Sequence, residues 1–343
     1  MRICLLTTQD LDARPFPADD WPCDPRPFLP EADWEVATLK KATSVEHVSR
    51  LLENGFDLFF NLCDGAADQD IPGIEVVQTL EAAGVPFTGA TSVFYEPPRE
   101  AMKAACRKQG IATPDWVFAR TDEDVRRAAE TLSFPLFVKH YSSYSSVSLS
   151  RASRVCTPEG LRRQARKIIK RHGAALIEEF VEGVECTVLV AENPDDPARP
   201  TTYTPMQYRF PDGESFKHAK MKWVDYSRMA SFPVTDPVLE AKLREDSARF
   251  FVALHGASFG RCDLRVDETG TPFMLEINPN CGVYYPPADY GSADLCLAND
   301  PAGHAGFTRQ LVAAAFRRHE RHARRSAGAR AATQPRIGAA GPG

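Results

Sequence analysis

Cysteine pairs at C-x-x-C spacing are absent from this chain. Its nine cysteines, an odd number, are scattered along 343 residues, which fits reduced thiols better than a disulfide framework and argues against structural zinc. No stretch reaches about eighteen consecutive apolar residues, so a membrane-spanning helix is not expected. The N-terminal run Met1-Arg-Ile-Cys-Leu-Leu-Thr-Thr8 is too short for a signal peptide and has no small-residue cleavage site behind it. These absences predict a soluble, cytoplasmic protein without a membrane partner. Positive charge is not in excess either: the formal net charge is −5, which argues against a sequence-independent grip on nucleic acid. The basic cluster Arg317 to Arg325 reads as the solvated end of a last helix. Internal repeats are lacking.

What is present suffices for two or three packed subdomains, with 43% hydrophobic residues to fill their cores. Residues 2–7 read as a buried strand, 12–30 as a Pro/Asp-rich loop, 44–54 and 74–83 as helices, and 57–62 and 85–88 as strands. This alternation predicts a parallel α/β layer. After the break at Pro97-Pro98, an amphipathic helix should run from Arg99 to Gln109 and stop at Gly110. Strand-helix-strand follows over 114–151, helix over 151–173, strand over 174–191, a loop over 193–205, and a last helix near 306–322.

The stretch most charged with chemistry is Pro272-Phe-Met-Leu-Glu-Ile-Asn-Pro-Asn-Cys-Gly282. As an extended strand it puts Met274, Glu276 and Asn278 on one face. Upstream, Gly260-Arg-Cys-Asp-Leu-Arg-Val266 is a second strand, and Asp267-Glu-Thr-Gly-Thr271 carries hairpin turn chemistry. Centring the hairpin between Thr269 and Gly270 sets Asp263 opposite Glu276 and Arg261 opposite Asn278. Two carboxylates and an amide oxygen are hard ligands suited to Mg²⁺. The same spacing also fits an amphipathic hairpin with a solvated polar face.

These two strands together resemble the end of the ATP-grasp fold, where a D-rich strand and an E-x-N strand hold Mg²⁺ against nucleotide phosphates. The order and intervals from about Phe59 to Gly282 are most similar to D-alanine-D-alanine ligases. The resemblance implies an α/β (α+β ATP-grasp) fold: an N-terminal parallel α/β domain over 1–96 and an ATP-grasp domain over 97–320 whose two α+β subdomains clasp ATP; the small, Gly/Ala/Pro-containing composition beyond Ala327 adds the expectation of a disordered tail over 321–343. By the same resemblance Asp263, Glu276 and Asn278 hold two Mg²⁺ ions, with Mn²⁺ as a substitute. Arg99 and Lys139 contact phosphates, with Lys103 one helical turn from Arg99 as its rival. Ser145 and Ser146 belong to the flap over the phosphates. Glu178, Glu179, Phe180 and Val181 form the adenine hinge, and Glu185 takes the ribose hydroxyls; Glu178 fits an exposed strand carboxylate nearly as well. Lys220, paired with Ala219 in a basic loop, reaches the γ-phosphate, with Lys222 as its rival. Arg261 and the N–H of Gly282 steady a tetrahedral oxyanion. Cys281, with no positioned His beside it, reads as an inert thiol.

The implied activity is ATP-dependent joining of a small-molecule carboxylate to an amine through an acyl phosphate, releasing ADP and phosphate, by a homodimer. The nucleotide residues match the family better than the amino-acid residues do. The family's Gly-Gly-x-Ser-x-Glu turn is replaced by Thr7-Thr-Gln-Asp-Leu11, its His-Gly by Asn61-Leu-Cys-Asp-Gly65, its loop tyrosine by Met221, and two flap glycines by Tyr144 and Ser148. The expected substrates therefore differ from D-alanine, with Asp64 as a substrate amine contact. A D-alanine-D-alanine ligase with a remodelled pocket and a non-catalytic ATP-binding module are the alternatives.

Overall fold

A computed structural model describes residues 1–16, 21–66, 69–142, 149–217 and 229–333, with side chains up to Arg325. The first sheet is parallel, in the order β2-β1-β3, from β1 (Arg2–Thr7), β2 (Asp33–Thr38) and β3 (Leu58–Asn61). Cys4 and Leu6 enter one hydrophobic core while Ile3 and Leu5 enter another. A strand buried on both faces has no polar face to show, hence its unbroken apolar run. The strand expected over 85–88 shrinks to a single bridge between Phe59 and Phe87. Gly89, at φ +94°, turns the chain away directly after it.

The second sheet is antiparallel, in the order β4-β7-β5-β6, from β4 (Trp116–Ala119), β5 (Leu136–His140), β6 (Arg154–Val155) and β7 (Ala175–Glu179). Two helices back it, Asp122–Thr131 and Pro158–His172. Their starts follow sequence rules: Thr121 and Asp124 form a capping box, and Thr157 caps a helix with Pro158 in its first turn. Val125, Leu161 and Ile168 pack on Leu136, Val138 and Ile177 in a core belonging to this sheet alone.

The third sheet runs β11-β10-β8-β12-β13 with β9 paired to β8, from β8 (Val184–Ala191), β9 (Thr201–Thr202), β10 (Met206–Arg209), β11 (Ala230–Pro233), β12 (Phe259–Val266) and β13 (Pro272–Pro279). Helix Arg99–Gln109, closed by Gly110 at φ +64° as expected, and helix Pro237–Ala253 cover one face. The second helix was not expected from apolar periodicity, because its one buried stripe includes the polar Asp246 and Ser247 while Val238 and Val252 stand exposed on the other face. Asp236, accepting from the N–H groups of Val238 and Leu239, and Pro237 were its legible start signals.

The first and third sheets share one core, so Phe59 and Leu6 belong with Val188 and Ile277. The last helix, Gly303–Thr333, continues past His322. Its basic end is only partly a solvated face, since Arg318 and Arg321 both pair with the buried carboxylate of Glu192. Among the described residues no helix is long and apolar enough to cross a membrane.

Candidate active site

The second and third sheets face each other across a cleft of ≈ 960 Å³. One wall is the β12/β13 hairpin, where Asp263 lies opposite Glu276 and Arg261 opposite Asn278, the register that alternation predicts. The ladder then slips by one residue between Asp263 and Leu264. Because of this bulge Met274 does not share the carboxylate face. It pairs with Leu264 in the core, and Leu275 lines the cleft beside Glu276.

Asp263 is held from three directions. Its Oδ1 accepts from Thr187 Oγ1 at 2.9 Å and Arg261 Nε at 3.0 Å, and its Oδ2 accepts from Arg261 Nη2 at 2.9 Å and Asn278 Nδ2 at 3.0 Å. Burial raises this carboxyl, but the two-pronged Arg261 contact outweighs it and keeps the group below its ordinary value. Glu276 behaves alike: burial pushes it up, and Arg99, bonded to its Oε2, together with Lys139 pulls it down further. Both carboxylates stay ionised. Glu276 Oε1 and Asn278 Oδ1 accept no hydrogen bond among the described residues, so the set retains hard oxygens for a cation such as Mg²⁺. Among the described residues no three His, Cys, Asp or Glu side chains cluster as a metal site, and the third oxygen here is an amide.

On the opposite wall Lys139 is the last residue but one of β5, with its stem buried and its ammonium 2.5 Å from Glu178 Oε1. Lys103 lies 3.0 Å from Glu178 Oε2, an ion pair lacking the angle of a hydrogen bond, and donates to Thr113 Oγ1 at 2.8 Å and the Pro114 carbonyl at 3.3 Å. Lys103 is thus neither solvated nor part of the cleft lining. Glu178, only 3% exposed, is not an exposed strand carboxylate. Burial raises its pKa, yet Lys103 and Lys139 override that and hold it at about 2. Desolvation lowers the Lys139 pKa, and Glu178 opposes the fall.

At the hinge the N–H groups of Glu179 and Phe180 donate to the carbonyls of Asp115 at 3.0 Å and Pro135 at 2.9 Å. Val181 N–H makes no hydrogen bond among the described residues. The Glu179 carboxylate turns away to accept from Ser133 N–H at 2.7 Å, so what it offers the cleft is backbone. Phe137, Phe180 and Phe216 gather into an apolar pad. Glu185 lies 3.2 Å from Lys217 and 3.7 Å from Arg265. Lys217 was not picked out in the sequence, although it stands beside Phe216 and shortly before Lys220.

The far end is formed by loops. Tyr95 Oη donates to the carbonyls of Cys63 at 3.3 Å and Gly65 at 3.0 Å, which fixes the segment carrying Asp64. Desolvation raises the Asp64 carboxyl, although its side chain is open to cleft solvent, which limits the rise. Gly282 has no room for a side chain, since a Cβ there would come 2.3 Å from Tyr285 Oη. Burial pushes the Cys281 thiol up to about 12, in keeping with an inert cysteine. Trp21, Tyr285 and Asn280 also line this end and were not singled out from sequence. Ser145, Ser146 and Lys220, with Tyr144, Ser148, Met221 and Lys222, lie outside the described residues. Arg99, Lys139, Glu178, Glu179, Phe180, Val181, Glu185, Arg261, Asp263, Glu276, Asn278 and Gly282 all line this cleft.

The family model described as D-ala D-ala ligase C-terminus matches residues 106–285. A D-alanine–D-alanine ligase of Cupriavidus necator is 26% identical over 280 residues, covering 79% of each chain. The D-alanine–D-alanine ligase of Bacillus anthracis solved with ATP superimposes with a TM-score of 0.66 at 15% identity, over 94% of this chain and 99% of that one. The VanG D-Ala:D-Ser ligase of Enterococcus faecalis gives 0.65 at 13% identity, over 92% and 99%. These two structural likenesses speak to the fold.

Proposed function

The chain belongs to the D-alanine–D-alanine ligase family, and from that membership we propose which of its residues run the reaction and on what. It is an ATP-grasp enzyme, an ATP-dependent carboxylate-amine ligase that uses Mg²⁺ and acts on small molecules. In our reading Asp263, Glu276 and Asn278 would hold two metal ions, which would supply positive charge against the transferred phosphoryl group. Lys139 and Arg99 take the phosphates, exchanging Glu178 and Glu276 for phosphate oxygens. Val181 N–H and the Glu179 carbonyl read the adenine edge against the phenylalanine pad, and Glu185 takes the ribose. Arg261 and Gly282 N–H face the oxygen of the tetrahedral species formed when the amine attacks the acyl phosphate. Ser145, Ser146 and Lys220, which lie outside the described residues, are assigned to the phosphates by the family resemblance alone.

The observation that carries this reading is the meeting, across one cleft, of an Asp263–Glu276–Asn278 face with the Lys139–Arg99 cations. The substrates are an amino acid or small biosynthetic intermediate other than paired D-alanine, with Asp64 receiving a substrate ammonium. A cytoplasmic homodimer completes the proposal, and light scattering on the purified protein checks its second part. The deciding assay supplies MgATP with D-alanine, then with pooled L-amino acids and small carboxylates, and follows phosphate and product mass. A new amide, one water lighter than its two parents, is expected from the pool. Efficient D-alanyl-D-alanine formation would instead return the chain to the parent activity.

A further inference from the structure

The segment 284–291 carries Tyr285, Pro287, Asp289 and Tyr290 along the cleft, and both its ends are tied to one side chain that does not line the cleft. Asp294, fully buried, accepts from Tyr284 N–H at 2.7 Å through Oδ1 and from Gly291 N–H at 3.1 Å through Oδ2. The second bond is the ordinary one from an acid at the third position of a helix, here Ser292–Ala298, back to the residue that caps it. The first reaches back ten residues to a tyrosine held at φ +72°. That left-handed conformation is rare for a bulky side chain and persists where the surroundings impose it. His304, in the first turn of the last helix, brings Nε2 to 2.9 Å from Asp294 Oδ1; a carboxylate only accepts, so the ring donates. The imidazole also lies on Phe28 at 4.8 Å and on Tyr290 at 5.3 Å between ring centroids.

A line of contacts runs from this pair into the site. Gly291 backs the ring of Tyr285, since a Cβ at position 291 would lie 3.0 Å from Tyr285 Cδ2 and Cε2. On its other side the same tyrosine fills the space where Gly282 would carry a Cβ. Tyr285 is thus wedged between two glycine backbones, one gripped by Asp294 and the other bearing the N–H assigned to the oxyanion. We propose that Asp294 and His304 are positioning residues, which hold the 284–291 segment so that Tyr285 keeps Gly282 N–H where the tetrahedral oxygen forms. This rests on the ligase reading and adds to it two buried residues that line no part of the cleft. A backbone donor stabilises a developing charge only from a fixed place, and a misplacement of about 1 Å can cost about 100-fold in rate.

Three variants test the idea. Asp294→Asn frees one end of the segment, because its amide nitrogen must face the N–H of Gly291 or of Tyr284, donor against donor. His304→Leu keeps apolar bulk against Phe28 and Tyr290 but removes the donor, and His304→Gln restores a donor near the place of Nε2. Wild-type protein is first given MgATP, a pool of amino acids and small carboxylates, and hydroxylamine, whose nitrogen displaces phosphate from an acyl phosphate to give a hydroxamate read by colour with ferric ion. With an acid so found, kcat should fall about tenfold in Asp294→Asn and His304→Leu, less than deleting an oxyanion donor outright. ADP affinity by calorimetry should stay within about twofold, and His304→Gln should recover most of the lost kcat whatever its melting temperature. If Asp294→Asn does not fold, the two His304 variants decide. Wild-type kcat in folded His304→Leu would overturn the proposal and leave the pair a brace for stability alone. Equal losses in His304→Leu and His304→Gln would overturn it too, as would ADP affinity falling in step with kcat, which means that the whole cleft has shifted. Wild-type protein that binds ADP but yields no hydroxamate from any acid in the pool would remove the ligase reading and this proposal with it, whereas failure of the proposal alone leaves wild-type turnover intact.

Discussion

The two ends of the cleft follow opposite electrostatic plans. Along the nucleotide end, Arg99 meets Glu276, Lys139 and Lys103 share Glu178, and Arg261 grips Asp263, all well buried. At the far end Asp64 has no ion pair among the described residues and is solvent-open, beside Trp21 and Tyr285. The first end pairs its charges within the protein, so its geometry is set in advance and a ligand must exchange ion partners there, while Glu276 Oε1 and Asn278 Oδ1 stay open. The second leaves recognition to whatever enters.

Four substitutions break or sharpen that contrast. Glu178→Gln strips the buried counter-charge from two lysines and should cost about 3–5 kcal/mol of stability, seen as a fall in chemical-denaturation midpoint. The pH dependence follows from its depressed pKa. The Glu178 contribution is fully present above the ordinary carboxylate range near 4.5 and fades as pH falls toward about 2, and acid unfolding of the variant should lack that part of the transition.

Glu276→Gln should lower Mg²⁺-dependent ADP release by about 100-fold or more. Because the Arg99–Glu276 ion pair is then lost, the melting temperature should drop modestly as well; unchanged turnover would sink the metal assignment. Lys139→Met is expected to weaken binding of a non-hydrolysable ATP analogue by about tenfold, roughly 1.4 kcal/mol. It should also destabilise the fold, since Glu178 keeps Lys103 alone; unchanged affinity with a large stability loss would make the lysine purely structural. Asp64→Asn, at the open end, should change stability by less than about 0.5 kcal/mol. Its effect should appear in the KM of the amine. Wild-type affinity ought to improve as pH rises through the raised Asp64 pKa and the ammonium partner ionises, and a variant retaining that limb would exclude Asp64 as the contact.

Much of the hairpin wall was legible because a strand has a period of two, yet the turn does not by itself set the pairing: beside it Val266 meets Pro272 and Leu264 meets Met274, and the one-residue bulge then brings Glu276, rather than Leu275, opposite Asp263. Arg99–Gln109 was readable to the residue, from Pro98 before it and Gly110 after it. Met274 escaped the same arithmetic, since a one-residue bulge is invisible to alternation. Helix Pro237–Ala253 escaped because polar Asp246 and Ser247 lie in its buried stripe and apolar Val238 and Val252 lie outside it, which blurs the apolar pattern.

Residue order, local periodicity and caps therefore determined which side chains sit on one strand face and where most helices begin and end. The tertiary structure alone decided who neutralises whom. Glu178 lies 75 residues beyond Lys103 along the chain and meets it only in the folded structure, and Asn280 owes its orientation to Ala90, across a sequence separation of 190. Charge pairing and burial depend on distances between elements, and those distances are set by how cores fill.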